Sequence, residues 1–242
     1  MTPIYNYEVY QTAMKRSLYD KLFFVDKIDP SMIVDFGCAD GTLMRELSTY
    51  FPSIPIIGVD NDPEMFNKCP DLDIRPNIPK EYPNAALILS SVLHEIHSYC
   101  GQGEIEAFWN EARRYDYIVI RDMSLQRDLE INHYSIKRAV EKIQTTYPNQ
   151  LKDFQKVWGK IQDTESLIHF LLKYMYVDNW EREVQENYLI NDVANIITLI
   201  KDTHEIIFKE HTSLSFLEQK WKDDLDISLT IPTHLKLIVK RK

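Results

Sequence analysis

The segment 34–41, with the sequence VDFGCADG, constrains the fold of this chain more than any other segment. It follows the short apolar run MIVDF, which is typical of a buried strand, and it precedes TLMRELSTYF, whose pattern is helical. A strand that turns directly into a helix needs small residues at the turn. Gly37 permits a tight turn, and Ala39 and Gly41 let a ligand approach the backbone amides at the start of the helix. The segment therefore predicts a ligand-binding strand–turn–helix unit.

Further apolar runs repeat this alternation of strand and helix along the first half of the chain. Clear strands are predicted at 32–36, 56–60, 86–92 and 117–122, and a short one near 72–74. Strands that alternate with helices in this way form a parallel sheet that is covered on both faces. Right-handed crossovers make such a sheet doubly wound. The sequence therefore predicts an α/β fold built on a doubly wound sheet.

After Asp122 the pattern becomes helical and remains so to about residue 200. Asp163 or Thr164 is predicted to cap one of these helices. Strand character returns at 204–212 and 234–242. The helical block is thus predicted to be an insertion before the sixth strand, lying as a cap over the carboxyl edge of the sheet.

Composition and charge argue against several classes of protein. The net charge of −9 does not fit the broad cationic surface of a generic nucleic-acid binder, so a nucleic-acid partner is not favoured. Cys38, Cys69 and Cys100 are scattered without a CxxC pair, so neither a disulfide framework nor a structural zinc site is predicted. No apolar run reaches the roughly 20 residues that a bilayer span needs, and no secretory signal is visible. A cytoplasmic protein without a membrane partner is expected.

Asp60, at the end of the second predicted strand, is a candidate ligand-binding side chain. A carboxylate there can accept hydrogen bonds from both hydroxyls of a ribose. The alternative is a solvated turn residue before the helix that Pro63 begins. A nicotinamide dinucleotide site needs the pattern G-x-G-x-x-G, and Thr42 stands where its third glycine would be. The sequence therefore favours a different nucleoside ligand.

These residues resemble the motifs of class I S-adenosylmethionine-dependent methyltransferases. The family's first motif is matched by Asp35, Gly37, Ala39 and Gly41, with alanine where the family prefers glycine. Its acidic second-strand end is matched by Asp60 within GVDNDPEM, and its fourth-strand motif resembles LILSSVLHEIH at 87–97. The resemblance covers about residues 30–122 and, by strand order only, the last two strands.

The resemblance implies a mostly parallel, seven-stranded sheet whose last strand is antiparallel, and it implies S-adenosyl-L-methionine as the cofactor. A length of 242 residues predicts one large domain, or a domain with an inserted cap, over residues 1–242. Its predicted parts are an N-terminal helical segment, a cofactor-binding core, the helical cap insertion and the last two strands, over 1–31, 32–122, 123–203 and 204–242.

The resemblance further assigns roles to single residues. Gly37 and Gly41 would line the methionine part of the cofactor, with Asp35 near its amino group. Asp60 would hold the ribose, and Ser90 would lie beside the amino group or the sulfonium. Adenine is assigned to Asn61, Asp73 and Ile74, and Cys38 is expected to be a small buried residue of the turn rather than a nucleophile. The predicted cofactor set is Asp35, Gly37, Cys38, Ala39, Gly41, Asp60, Asn61, Asp73, Ile74 and Ser90.

His94 and Asp122 are the candidate catalytic residues. Either could take the proton of a hydroxyl or amine acceptor as a general base. The alternative for His94 is a capping or packing role. His94, Glu95 and His97 do not form the HExxH zinc signature, so no metal is predicted.

Aromatic residues outside the motifs have two interpretations each. Tyr7, Tyr10 and Arg16 either fold over the cofactor or pack on the sheet. In the cap, four large aromatic residues either wall an apolar substrate pocket or form a helical core, namely Trp158, Tyr174, Tyr176 and Trp180.

The sequence thus predicts an S-adenosylmethionine-dependent methyltransferase that acts on a small or medium-sized molecule. The alternatives are a methyltransferase for RNA or protein, and a non-catalytic domain that uses the fold to bind a partner. No oligomeric state is predicted.

Overall fold

The computed structural model describes residues 17–64, 69–79, 83–126, 129–189 and 193–242. Within them the strands are β1 (Met32–Phe36), β2 (Ile56–Val59), β3 (Ile74–Arg75), β4 (Ala85–Ser90), β5 (Tyr117–Met123), β6 (His204–Thr212) and β7 (His234–Arg241). The helices are α1 (Leu18–Lys21), α2 (Thr42–Tyr50), α3 (Leu93–Tyr99), α4 (Gln102–Ala112), α5 (His133–Thr146), α6 (Pro148–Trp158), α7 (Thr164–Leu171), α8 (Trp180–Glu183), α9 (Val193–Ile200) and α10 (Ser215–Leu225). A 3₁₀ turn, Val177–Asn179, precedes α8.

The strands form one seven-stranded sheet in the order β3-β2-β1-β4-β5-β7-β6. The strands β1 to β5 pair in parallel, whereas β7 is antiparallel to both β5 and β6. The predicted fold class is therefore confirmed. Because parallel strands end at the same edge, the residues that follow β1, β2, β4 and β5 meet along one carboxyl edge of the sheet.

Apolar residues on both faces of the central strands hold the helices against the sheet. Val34, Leu87 and Ile118 belong to the cluster that includes side chains of α3, α4 and α9. Their neighbours in sequence, Ile33, Ala86 and Val119, belong to the opposite cluster, which includes α2 and the segment 22–28. Successive residues of a strand point to opposite faces, so a strand buried on both sides reads as an unbroken apolar run. This is why β1, β4 and β5 were visible in the sequence.

The helices α5 to α8 form a separate apolar cluster together with α10. Trp221 of α10 is buried in it, and its indole Nε1 donates a hydrogen bond to the carbonyl oxygen of Leu171 over 2.9 Å. Asp163 caps α7 by accepting a hydrogen bond from the amide of Ser166, as predicted. In contrast, Ile196 and Ile200 of α9 pack in the sheet cluster. The segment predicted as a cap thus contributes one helix to the sheet layer.

Two helices and one strand differ from the sequence-based expectation. The sequence did not predict α3 or α10, and β3 lies at Ile74–Arg75 rather than near 72–74. Only three residues of α10 are buried, because the helix is mostly polar, and so its apolar pattern is weak. Tyr7, Tyr10 and Arg16 lie outside the described residues. None of the helices in the described part of the chain combines the length and the apolar character that crossing a bilayer requires.

The helical cluster gives a direct test of what holds the cap together. Phe154 is 0% exposed, and its ring packs edge-on against His169 and Phe170. Phe154→Ala should lower the free energy of unfolding by about 3–5 kcal/mol, because a cavity replaces a buried ring. Val157 on the same helix is 39% exposed, and Val157→Ala should change it by less than about 0.5 kcal/mol. Urea unfolding followed by circular dichroism measures the free energy of unfolding of both variants. Similar losses of stability in the two would contradict the assignment of Phe154 to the core of the helical cluster.

Candidate active site

The turn after β1 requires glycine at two positions. Gly37 has φ +75° and Gly41 has φ +68°, in the left-handed region that favours glycine. A Cβ atom at Gly37 would lie 2.7 Å from Cγ2 of Val92, and one at Gly41 would lie 2.1 Å from Cδ1 of Leu72. Backbone conformation and close neighbouring side chains therefore both favour glycine at these positions. Ala39 also has a positive φ, +45°, so its backbone is strained as well.

Asp60 links the end of β2 to this turn. Its Oδ2 accepts a hydrogen bond from the amide of Ala39 over 2.9 Å, and its Oδ1 accepts one from the amide of Asp62, also over 2.9 Å. A carboxylate offers about four acceptor positions, so further donors can still bind. Asp60 is thus a partly buried group held beside the turn and not merely a solvated turn residue.

Two buried polar atoms at the carboxyl edge lack hydrogen-bond partners among the described residues. They are Oδ2 of Asp35, in β1, and Oγ of Ser90, at the end of β4. Asp35 is 2% exposed, and burial raises its pKa to about 7, although the attraction of Lys21 opposes the rise. Unpartnered buried polar atoms are costly unless a ligand completes them. The two therefore indicate a binding site between the turn and β4.

The residues predicted to face adenine lie on the other side of the turn. Asn61 is exposed, and Asp73 forms a two-pronged ion pair with Arg75, at 2.9 and 2.6 Å. Ile74 is partly buried and lies opposite Gly58 of β2. Ile74 in β3 thus offers an apolar surface to a ligand. The carboxylate of Asp73, just before β3, is already paired with Arg75.

Cys38 is a packing residue of the turn. It is 5% exposed, and a Cβ atom at Gly58 would lie only 2.6 Å from its sulfur. Burial raises the pKa of the Cys38 thiol far above its usual range. The thiol is therefore neutral at physiological pH and is not an activated nucleophile.

The structure joins His94 and Asp122 in a buried pair. Nδ1 of His94 lies 2.8 Å from Oδ1 of Asp122, and the backbone amide of His94 donates to Oδ2 over 3.2 Å. Oδ1 also accepts a hydrogen bond from the amide of Met123 over 2.7 Å. Asp122 is 0% exposed, whereas His94 lines a cavity at the sheet edge. Any contact of Asp122 with a ligand would thus pass through the imidazole ring.

A second carboxylate, Glu186 from the cap, lies on the far side of the His94 ring. Its Oε2 is 3.6 Å from Nε2 of His94, and its Oε1 accepts hydrogen bonds from Arg182 and from the hydroxyl of Tyr99. Burial by itself would lower the pKa of His94, but Asp122 and Glu186 together raise it to about 10. The ring is therefore an imidazolium at neutral pH.

The sequence predicted His94 and Asp122 as candidate catalytic residues but did not predict Glu186 or Arg182 beside them. Glu186 and Arg182 lie in the cap without a recognisable motif, and only the fold brings them to His94. Arg182 also contacts Glu95, with 2.5 Å between Nη2 and Oε1. Ligand atoms of His94, Glu95 and Glu186 lie within 4.8 Å of one another, as in a metal site. The Arg182 guanidinium already bonds both carboxylates, so a metal ion would have to displace it.

The cavity lies between the carboxyl edge of the sheet and the cap, with a volume of about 110 Å³. Its wall combines charged groups from both sides with an apolar part formed by Leu172, Leu214, Phe216 and Leu217. Tyr176 lines it as well. The other aromatic residues proposed for a pocket wall, Trp158, Tyr174 and Trp180, pack in the helical cluster instead.

No protein-family model matches this chain, and no curated protein sequence does either. Solved structures do share its fold. The PH0226 protein of Pyrococcus horikoshii OT3 is 11% identical with a TM-score of 0.53, covering 100% of this chain and 97% of that one. The plantazolicin methyltransferase BpumL, solved with a triazolic desmethylPZN analog and SAH, is 14% identical with a TM-score of 0.52, covering 98% of this chain and 88% of that one.

The plantazolicin methyltransferase BamL, also solved with a triazolic desmethylPZN analog and SAH, is similar over nearly the whole chain. It is 13% identical with a TM-score of 0.50, covering 97% of this chain and 88% of that one. Identities this low concern the fold, which agrees with the strand order and the antiparallel β7 described above. The chain has the fold of the class I S-adenosylmethionine-dependent methyltransferases.

Proposed function

We propose that this chain is an S-adenosylmethionine-dependent methyltransferase that acts on a small or medium-sized acceptor in the cavity between the sheet and the cap. The observation that carries the proposal is the buried carboxylate of Asp35, whose Oδ2 lacks a partner among the described residues. An ammonium group would complete it, and the cofactor carries one next to a sulfonium and a ribose. The similarity to BpumL and BamL, both solved with SAH, supports the same cofactor.

The residues of the carboxyl edge fit the parts of this cofactor. Asp35 and Ser90 would hold the amino acid end, and the close-packed turn formed by Gly37, Cys38, Ala39 and Gly41 would lie along it. Asp60 retains acceptor positions for the two ribose hydroxyls. Asn61, Asp73 and Ile74 would border the adenine.

The cofactor, when bound, supplies an electrophilic methyl group on a sulfonium. The tasks left to the chain are to hold the acceptor in line with that methyl group and to exclude water. The cavity between sheet and cap can hold the acceptor and shields it in part from water. Its size supports a small acceptor over a macromolecule, whose reacting group would have to reach through the cap.

Proton removal from a hydroxyl or amine acceptor is assigned to the pair of His94 and Asp122. His94 lines the cavity, and Asp122 fixes the orientation of its ring. Because the pKa of His94 is raised to about 10, the ring must first release its own proton before it accepts another. A methyl transfer that uses this pair therefore becomes faster as the pH rises toward 10.

Asp60 tests the cofactor assignment. Asp60→Ala should weaken the binding of S-adenosylmethionine and S-adenosylhomocysteine by about 2–4 kcal/mol, or ~30-fold to ~1000-fold, because two hydrogen bonds to a charged acceptor are lost. Isothermal titration calorimetry measures both ligands. Asp71→Ala is the matched control, since Asp71 is an exposed acidic residue that pairs with Arg45. Unchanged affinity in Asp60→Ala, or no binding to the wild-type chain, would contradict the proposal and favour a non-catalytic partner-binding domain.

The raised pKa of His94 predicts how stability depends on pH. The folded-state pKa of about 10 exceeds the usual value of 6.5, so protonation stabilises the fold fully below pH 6.5 and progressively less up to pH 10. The destabilisation caused by His94→Gln should therefore shrink over this range, by at most about 1.4 kcal/mol per pH unit. Urea unfolding of both proteins at pH 6, 8 and 9.5 measures the difference.

The control for this experiment is His133→Gln, because His133 is exposed at the start of α5. Its effect on unfolding should stay below about 0.5 kcal/mol at every pH. Titration of the His94 ring by NMR in the wild-type protein provides a reading that does not depend on the variant's folding. A ring that loses its proton below pH 7 would show that Asp122 and Glu186 do not hold it charged.

A further inference from the structure

Arg121 is a buried cation at the wall of the cavity with an incomplete set of partners. It lies near the end of β5, is 4% exposed, and lines the cavity. Its Nε donates to Asp20 over 2.8 Å and its Nη1 donates to Oγ of Ser91 over 2.9 Å. Its Nη2 has no hydrogen-bond partner among the described residues. A guanidinium keeps its charge in proteins, so the unpartnered N–H groups indicate a missing acceptor.

Arg121 shares its carboxylate partner with a second cation. Asp20 also pairs with Lys236, at 2.5 Å between Oδ1 and Nζ, so one carboxylate serves two cations. An anionic ligand at Nη2 of Arg121 would supply a second negative charge to this pair of cations, and in a buried position it would do so with little competition from water.

Arg121 borders both the cavity and the proposed cofactor site. Arg121 lies opposite Ser90 in the pairing of β5 with β4, and β4 lies between β5 and β1. Two strand spacings put the backbone of Arg121 about 10 Å from that of β1, where Asp35 lies. Ser91, which holds Nη1, has a positive φ of +58°, a strained backbone that persists where the surroundings impose it. Arg121 is thus held in place at the cavity wall, one strand from Ser90 and two strands from Asp35.

We propose that the methyl acceptor carries a carboxylate, or an equivalent oxyanion, that accepts hydrogen bonds from Nη2 of Arg121. The apolar body of such an acceptor would pack against Leu172, Leu214 and Phe216. The carboxylate of Glu186 repels the anionic head, which fixes the direction in which the acceptor enters. This assignment of the substrate class rests on the proposed function.

Benzoate and benzamide are suitable probes because they share a ring and nearly the same shape but differ in charge. With the chain saturated with S-adenosylhomocysteine, benzoate should bind at least about tenfold more tightly than benzamide, as expected for a charge-assisted pair. Arg121→Gln should remove this preference and leave benzamide binding unchanged. Arg121→Lys, which keeps the charge but not the planar fork, should retain part of it. Arg114→Gln is the matched control, because Arg114 is an exposed arginine whose side chain is 43% accessible.

The cofactor also carries a carboxylate, so its binding is measured separately. Arg121→Gln should bind S-adenosylhomocysteine with the affinity of the wild-type chain. The proposal is overturned if that affinity falls while 5′-methylthioadenosine, which lacks the carboxylate, binds as before, since Arg121 would then hold the cofactor. It is equally overturned if benzoate and benzamide bind the wild-type chain alike.

Two further measurements test the anion site when a variant does not fold or when the cofactor does not bind. If Arg121→Gln does not fold, the comparison of wild type with Arg121→Lys decides, and equal preference for benzoate in both would contradict the fork geometry. If S-adenosylhomocysteine does not bind at all, the proposed function is wrong. The preference for benzoate over benzamide is then measured on the chain without cofactor, and this measurement tests the anion site independently.

Discussion

The hydrogen bonds that fasten the turn after β1 to the end of β2 are the constraint on which the site depends. The amide of Ala39 donates to Oδ2 of Asp60, and the amides of Gly37 and Cys38 donate to the carbonyl oxygen of Val59, over 2.8 and 3.2 Å. These contacts hold the chain in positive-φ conformations that only a surrounding structure can impose. They also place the start of α2 at the carboxyl edge, where the amide of Thr42 donates to Oδ1 of Asp40 over 3.1 Å. The rest of the site is arranged around this fixed corner.

Charge along the same edge is buried and almost entirely paired, which makes the exceptions informative. Asp122, His94, Glu186 and Arg182 form a continuous chain of ion pairs and hydrogen bonds. Such a chain is stable only when every member is satisfied, because desolvated charges are costly. Among the residues that the structure describes, Asp35 and Arg121 each keep one side-chain atom without a hydrogen-bond partner, and the two side chains have opposite charges. Asp35 lies on β1 and Arg121 on β5, on either side of β4. The carboxyl edge can therefore bind a cationic group at Asp35 and an anionic group at Arg121.

The sequence could predict elements whose pattern lies within one short segment, but not contacts between residues that are far apart in the chain. The strands β1, β4 and β5 and the turn around Gly37 are short segments whose pattern carries the information, and the structure agrees with them. The partners of His94 depend on contacts between remote segments: the bond from Tyr99 to Glu186 spans 87 positions. No role was predicted for Arg121, because nothing in the apolar strand YIVIRD shows that its side chain points toward a cavity. The roles taken from the family resemblance, for Asn61 and Ser90 among others, remain predictions.

The cap is attached to the sheet through the same charges that line the cavity. From the cap side, Lys173 donates to the carbonyl oxygens of Glu183 and Glu186. From the sheet side, Oγ of Ser98 in α3 accepts a hydrogen bond from the amide of Asn187 over 2.9 Å, and Glu95 pairs with Arg182. Breaking one member of a buried ion pair costs about 3–5 kcal/mol, so this wall is ordered before a ligand arrives. A preformed wall lowers the entropy lost on binding and keeps an acceptor in one orientation, which is the main requirement of a displacement that needs no covalent help from the protein.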